Sequence, residues 1–275
     1  MSTIDKKSPI GVFDSGVGGL TVVREIMRQL PNERIVYFGD TARVPYGSKS
    51  EETVTRYSQQ IVRFLRTHDI KMLVVACNTA SAYALPHIEK ELDIPAIGVV
   101  KPGAKVASEM TKNGRIGVIA TEGTVESHLY DRYIKELNEN VTIYSKACPL
   151  FAPLVEEGLL NDPVTDEIAG RYLAELKDND IDTLILGCTH YPLLRSTIGR
   201  IMGEGVNLVN PAYETAKELE RVLTEKNLLN DERPALGENP YRFFVSDSAE
   251  KFKRFANSII KYGILSAKSI NIEEY

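Results

Sequence analysis

The sequence predicts an α/β protein of two related halves, each a mostly parallel sheet flanked by helices. Three observations carry that prediction. Short β-branched runs alternate with longer amphipathic stretches, the pattern left by βαβ units. The interiors of those runs are nearly all apolar, as strands covered on both faces require. One segment pattern also occurs twice, as LVVACNTASA at 73–82 and as LILGCTHYPL at 184–193.

In chain order, IGVF at 10–13 is the first strand, and the glycines at 16, 18 and 19 make a tight turn into a helix over 20–30. A strand over 35–38 follows. The helix over 51–67 opens on Ser50, a capping residue, with Glu51 and Glu52 in its first turn. Strands over 72–76 and 97–100 enclose a helix over 81–92. Those over 116–120 and 142–145 enclose one over 125–138. Asp162-Pro163 opens a helix over 165–177, and strands over 183–186 and 207–209 follow. A helix over 212–225, a strand over 242–245 and a helix over 250–262 complete the chain. The last of these turns Phe252, Phe255 and Ile259 inward and its charges outward. Residues 227–240, polar and punctuated by Pro and Gly, form a long surface connection.

At 275 residues the chain is long enough for two compact domains. A net charge of −5 argues against a dedicated nucleic-acid binder. No apolar run reaches membrane-spanning length, and MSTIDKKSPIGVFDSG lacks the apolar stretch of a secretory signal. Three cysteines in so long a chain are no disulfide framework, so the expectation is a cytoplasmic protein with reduced thiols.

Each copy of the repeated pattern is an apolar strand, a small residue, a cysteine, an amide or hydroxyl residue and then a helix-like run. Cys77 and Cys188 stand 111 positions apart, roughly one domain's length of chain. Ligands of open parallel sheets bind beyond the C-terminal strand ends. Two facing lobes therefore present both cysteines to one shared cleft. A thiol between a strand end and a helix N-terminus meets free backbone N–H groups and the positive end of the helix dipole, which predicts a lowered pKa. Two such thiols flanking one ligand suit racemisation. One base removes a proton from a tetrahedral carbon, its protonated partner delivers another to the opposite face, and the roles exchange in the reverse direction. A single cysteine after an apolar strand is more often a small buried hydrophobe; the matched pair turns the reading towards chemistry.

Four blocks sharpen it: GVFDSGVGGL at 11–20, YFGDTARVPYGS at 37–48, ACNTA at 76–80 and LGCTHYPL at 186–193. In these, and over its whole length, the chain resembles the glutamate racemases of the aspartate/glutamate racemase superfamily. The resemblance implies two pseudo-symmetric domains with the active site in the cleft between them. The first lobe would comprise residues 1–98 plus 208–275, with Asp14 and Cys77; the second would comprise 99–207, with Glu156, Cys188 and His190. It implies interconversion of L- and D-glutamate by Cys77 and Cys188 without pyridoxal phosphate, metal or nucleotide, a supply of D-glutamate for peptidoglycan, and a homodimer.

Carried over residue by residue, Asp14 assists the Cys77 side, and Ser15 lies beside it among the substrate contacts. Pro45, Tyr46 and Gly47 form a loop contacting the substrate. Asn78, Thr79 and Thr189 offer polar contacts to its ammonium and carboxylate groups. His190 assists Cys188, and Glu156, in PLVEEG, is a further acid/base neighbour. One block departs from the family pattern: in LVNPAYETA, Asn210-Pro211 stands where Asp-Ser is expected.

Other readings are open to test. Gly16-Val17-Gly18-Gly19 misses the last glycine of the dinucleotide fingerprint and has no P-loop lysine. Cys188-Thr189-His190 lacks the second ligand pair of a zinc site. Cys148 has no matching context and reads as structural. His68, His87 and His128 fall on predicted helices as surface or satisfied core residues. Competing functions are aspartate racemase, which pocket volume separates from the first reading, a two-lobed binding module, and a pyridoxal-phosphate racemase, which needs a Schiff-base lysine.

Overall fold

The computed structural model describes residues 5–235, 237–260 and 266–275. The first half runs β1 (Ile10–Asp14), α1 (Leu20–Gln29), β2 (Ile35–Gly39), α2 (Glu51–Arg66), β3 (Met72–Val75), α3 (Asn78–Tyr83), α4 (Leu85–Glu91) and β4 (Ala96–Gly98). The middle runs α5 (Val100–Met110), β5 (Arg115–Ala120), α6 (Glu122–Glu126), α7 (Leu129–Leu137), β6 (Thr142–Ala147), α8 (Phe151–Glu156) and α9 (Pro163–Asp178). It continues with β7 (Thr183–Gly187), a 3-10 turn (Tyr191–Leu194), α10 (Arg195–Met202) and β8 (Asn207–Val209). The chain then returns through α11 (Pro211–Glu225), β9 (Tyr241–Val245), α12 (Ala249–Ile259), β10 (Ala267–Ser269) and a 3-10 turn (Ile272–Glu274).

Two parallel sheets result. One has six strands in the order β10-β9-β2-β1-β3-β4, the other four in the order β6-β5-β7-β8. The run β2-β1-β3-β4 in the first is repeated by β6-β5-β7-β8 in the second, so β1 answers to β5 and β3 to β7. Side chains alternate between two cores on each sheet, as the period of two demands. Met72 and Val74 face one core while Leu73, Val75 and Cys77 face the other. Leu184, Leu186 and Cys188 face one core of the second sheet and Ile185 the other. Helices α1, α11 and α5 pack in sequence and tie the halves together. No helix among the described residues is long and apolar enough to cross a membrane.

The expected caps are present. Ser50 accepts the Thr53 N–H at 3.3 Å and Asp162 accepts that of Val164 at 2.9 Å. Asn210 does the same for Ala212 at 3.1 Å, so the departing Asn-Pro pair caps α11.

The structure also corrects several boundaries. The strand expected over 97–100 ends at Gly98, because α5 begins at Val100. That helix carries Pro102 in its first turn, where the missing N–H has no intrahelical role, and Gly103, which packs against Pro211. Helices α8 and α10 and strand β10 were likewise not expected. The helix expected over 81–92 is two helices, parted at Ala84 just ahead of Pro86. The one expected over 125–138 breaks at His128, which is left-handed with φ of 52°. His128 and His68 thus lie between or beyond helices, and only His87 lies on one. The connection over 227–240 is pinned inward by buried Leu228 and Asn230. The end of the helix expected over 250–262, at residues 261 and 262, lies outside the described residues.

Candidate active site

Cys77 follows β3 and caps α3, its Sγ accepting the Ala80 N–H at 3.4 Å. The parallel register of β1 beside β3 brings Asp14 and Ser15 to the same strand ends, where Ser15 favours the ionised form of Cys77. The lowered pKa expected here is not what the surroundings impose. Burial, and after it the Asp14 carboxylate, push the thiol up to about 12, outweighing the Ala80 and Ser15 donors. One short helix does not offset the loss of water. Cys77 therefore rests as a thiol.

Cys188 follows β7 and has different company. Its Sγ lies 3.7 Å from His190 Nδ1, and His190 Nε2 lies 3.0 Å from Glu156 Oε1. Burial disfavours a charged imidazole, yet the hydrogen bonds to Cys188 and Glu156 together push His190 up to about 10. The His190 hydrogen bond in turn holds Glu156 below the ordinary glutamate range. Sulfur, imidazole and carboxylate form a relay on this side only.

Both sulfurs line one cavity of about 210 Å³ between the lobes. The volume is below the roughly 300–1,000 Å³ of drug-sized sites, which suits a ligand the size of an amino acid. Ser15, Pro45, Tyr46, Gly47, Asn78, Thr79, Thr189, His190 and Glu156 line it too, so nearly all the sequence-derived candidates converge. Asp14 stands behind the wall, fully buried. Its carboxylate accepts the Gly16 N–H at 3.1 Å and the Thr189 hydroxyl at 3.4 Å, and burial raises its pKa. Among the described residues the lining contains no lysine or arginine. Hydroxyls, amides, backbone N–H groups and the His190 ring are the donors this lining offers to anionic groups.

Sequence reasoning missed Val44, Thr121, Ala152, Pro153 and Glu157 in this lining. Thr121 had a signal. IGVFDS at 10–15 is echoed by IGVIAT at 116–121, which pairs Ser15 with Thr121 and Asp14 with Ala120. The Thr121 hydroxyl bonds that of Thr79 across the lobes and that of Thr124 within its own lobe, each at 2.9 Å. Tyr130 donates to Asn78 Oδ1 at 2.7 Å, and the Gly123 N–H to the Gly47 carbonyl at 2.8 Å. Cys148 is buried outside the cavity, and its carbonyl accepts the Tyr191 hydroxyl at 2.8 Å. A larger cavity of about 530 Å³, bordered by Lys101, Lys105 and Arg221, is lined by neither Cys77 nor Cys188.

The sequence profile of Asp/Glu/Hydantoin racemases matches residues 10–219. A relative named glutamate racemase, from Geobacter metallireducens, is 50% identical over 96% of this chain and 98% of its own. The crystal structure of a glutamate racemase from Bacillus anthracis superposes with a TM-score of 0.92 at 45% identity, covering 96% of this chain and 98% of that one. That of the Francisella tularensis glutamate racemase in complex with D-glutamate does so at 0.90 and 38% identity, covering 98% and 100%.

Proposed function

The chain belongs to the Asp/Glu/Hydantoin racemase family, and from that premise we propose that it interconverts L- and D-glutamate by proton transfer between Cys77 and Cys188. The observation that carries the proposal is the pair of cysteines lining one small cavity from equivalent strand ends of two repeated halves. Glutamate is favoured by the names of the relatives and by a lining rich in neutral donors.

In one direction the Cys188 thiolate, steadied by the His190 imidazolium, takes the α-proton, and the Cys77 thiol gives its proton to the opposite face. In the other direction Cys77, left as a thiolate once it has given up its proton, takes the α-proton, and the Cys188 thiol returns one to the opposite face. The Ala80 N–H and Ser15 favour that thiolate, and the buried Asp14 carboxylate opposes it. One C–H bond breaks, one forms, and no electrons are gained or lost. Neutral donors around the cavity meet the charge that develops on the α-carboxylate. Pro45, Tyr46 and Gly47, with Ser15, Asn78, Thr79 and Thr189, hold the substrate's charged groups. No cofactor takes part.

The same reading places the enzyme in the cytoplasm as a homodimer that supplies D-glutamate to peptidoglycan, and divides its lobes at 98/99 and 207/208. Racemisation of both enantiomers of glutamate and of aspartate, by the native enzyme and by Cys77→Ala and Cys188→Ala, tests it. Glutamate should be turned over in both directions and neither variant should retain activity. Undiminished turnover in either variant, or a preference for aspartate, overturns the proposal.

A further inference from the structure

We propose that the C-terminal turn of the chain is a positioning element for the substrate loop 44–47 and acts through Arg43. The proposal rests on reading that loop as a substrate contact. The turn is firmly docked. Ile272 is buried in the core beneath α2, the Tyr275 ring stands edge-on to Phe64 at 5.2 Å, and Arg63 donates to the Tyr275 carbonyl. The Ile270 N–H donates to the Val245 carbonyl at 2.9 Å, which extends the pairing of β10 with β9.

From this seat Glu273 Oε1 accepts Arg43 Nη1 at 3.1 Å. The same guanidinium donates through Nε to Asp40 Oδ2 at 2.8 Å and through Nη1 to Gln60 Oε1 at 2.5 Å, and lies 4.0 Å over the Tyr57 ring. Asp40 is fully buried and also accepts the Tyr46 hydroxyl at 2.5 Å and the Ser246 hydroxyl at 2.8 Å. Tyr46 reaches the cavity wall, and its ring meets Tyr57 at 5.9 Å. The order of contact is therefore Glu273, Arg43, Asp40, Tyr46, cavity. Arg43 directly precedes Val44, so the fork that holds Asp40 also fixes where the loop leaves β2. A planar guanidinium can make these contacts together; an ammonium cannot. None of these groups except Tyr46 lines the cavity, so the tail tunes binding without touching the substrate.

The full-length variants Arg43→Lys and Glu273→Gln, with a chain ended after Ser269, decide the matter by two readouts. Loss of a binding contact that is equal in ground and transition states raises KM and spares kcat. Arg43→Lys should raise the glutamate KM by about tenfold, and Glu273→Gln by about threefold, each with kcat within about twofold of native. The double variant should be no worse than Arg43→Lys alone, because Glu273 acts through Arg43. Amide exchange over residues 41–49 should quicken in all three chains while that over 72–84 and 183–194 stays native. Exchange over 41–49 that stays native in Arg43→Lys and Glu273→Gln, additive effects, or a fall in kcat at unchanged KM overturns the proposal. Should the native enzyme fail to racemise glutamate, the functional reading fails, and exchange alone decides the role of the tail.

Discussion

Gly18 lies so close to His190 that a methyl group on its Cα would stand 2.6 Å from the Nδ1 that faces Cys188, and 2.4 Å from the Thr189 hydroxyl. Backbone from the first half thus forms part of the seat of the imidazole in the second. Gly18→Ala should push the ring away from the sulfur and lower kcat by a hundredfold or so, the cost of displacing one acid/base group. Gly16→Ala is the control, since its methyl would meet Val44 at an ordinary 3.4 Å. Equal activity in the two variants, with circular dichroism unchanged, would remove His190 from the account.

The two thiols should be separable by isotope. In deuterated solvent the native enzyme should wash deuterium into the α-position of both enantiomers. Cys77→Ser and Cys188→Ser should each lose that exchange for one enantiomer before the other, and for opposite ones. Loss for the same enantiomer in both variants would mean that a single base serves both faces.

Glu156→Gln should move the alkaline limb of the kcat/KM profile. His190 is held charged up to about pH 10 in part by Glu156. Without the carboxylate the imidazolium gives up its proton at lower pH, so the limb moves towards neutrality by about one unit or more. A limb that stays in place means that the charge of His190 is not what the reaction needs. The same pair bears on stability. Its contribution is fully present below the unperturbed value of 6.5 and is lost as pH climbs through about 10. Melting curves across that range should show the native advantage over Glu156→Gln fading.

At the opposite end of the first sheet Lys71 and Glu33 form a buried pair at 2.6 Å, and Lys71 also donates to the Leu228 carbonyl at 2.9 Å. Lys71→Met strands the Glu33 carboxylate and should cost about 3–5 kcal/mol of stability in denaturant titration. Adding Glu33→Leu should recover much of that loss. Turnover per folded molecule should be unchanged in both, because the pair precedes β3 whereas Cys77 follows it; a fall in kcat contradicts this.

The parallel sheets were legible because strands buried on both faces can hardly be anything else, and Ser50 and Asp162 marked their helices because capping is local chemistry. The breaks at Ala84 and His128 were not, since continuous apolar spacing on either side hides a change of direction imposed by packing. Helix α5 was hidden behind Pro102 and Gly103, residues that usually punctuate chains but here serve a helix start and a close contact with Pro211. At the site, strand-end position and chemical type singled out the cysteines, Asn78 and Thr189. Thr121 required an alignment of the first half against the second. The behaviour of Cys77 was not legible from local sequence, because burial depends on what the opposite lobe covers.

The duplicated strand order gives the two sulfurs equivalent places, yet the halves have diverged around them: Asp14 and Ser15 on one side, His190 and Glu156 on the other. Mirror-image amino acids have equal free energies in water, so the forward and reverse specificity constants must be equal however unlike the two flanks become. Divergence is free only to trade turnover against saturation. Whichever enantiomer is processed faster at high concentration must be held more loosely in the same proportion, and the duplicated scaffold lets that exchange rate drift without shifting the racemic endpoint.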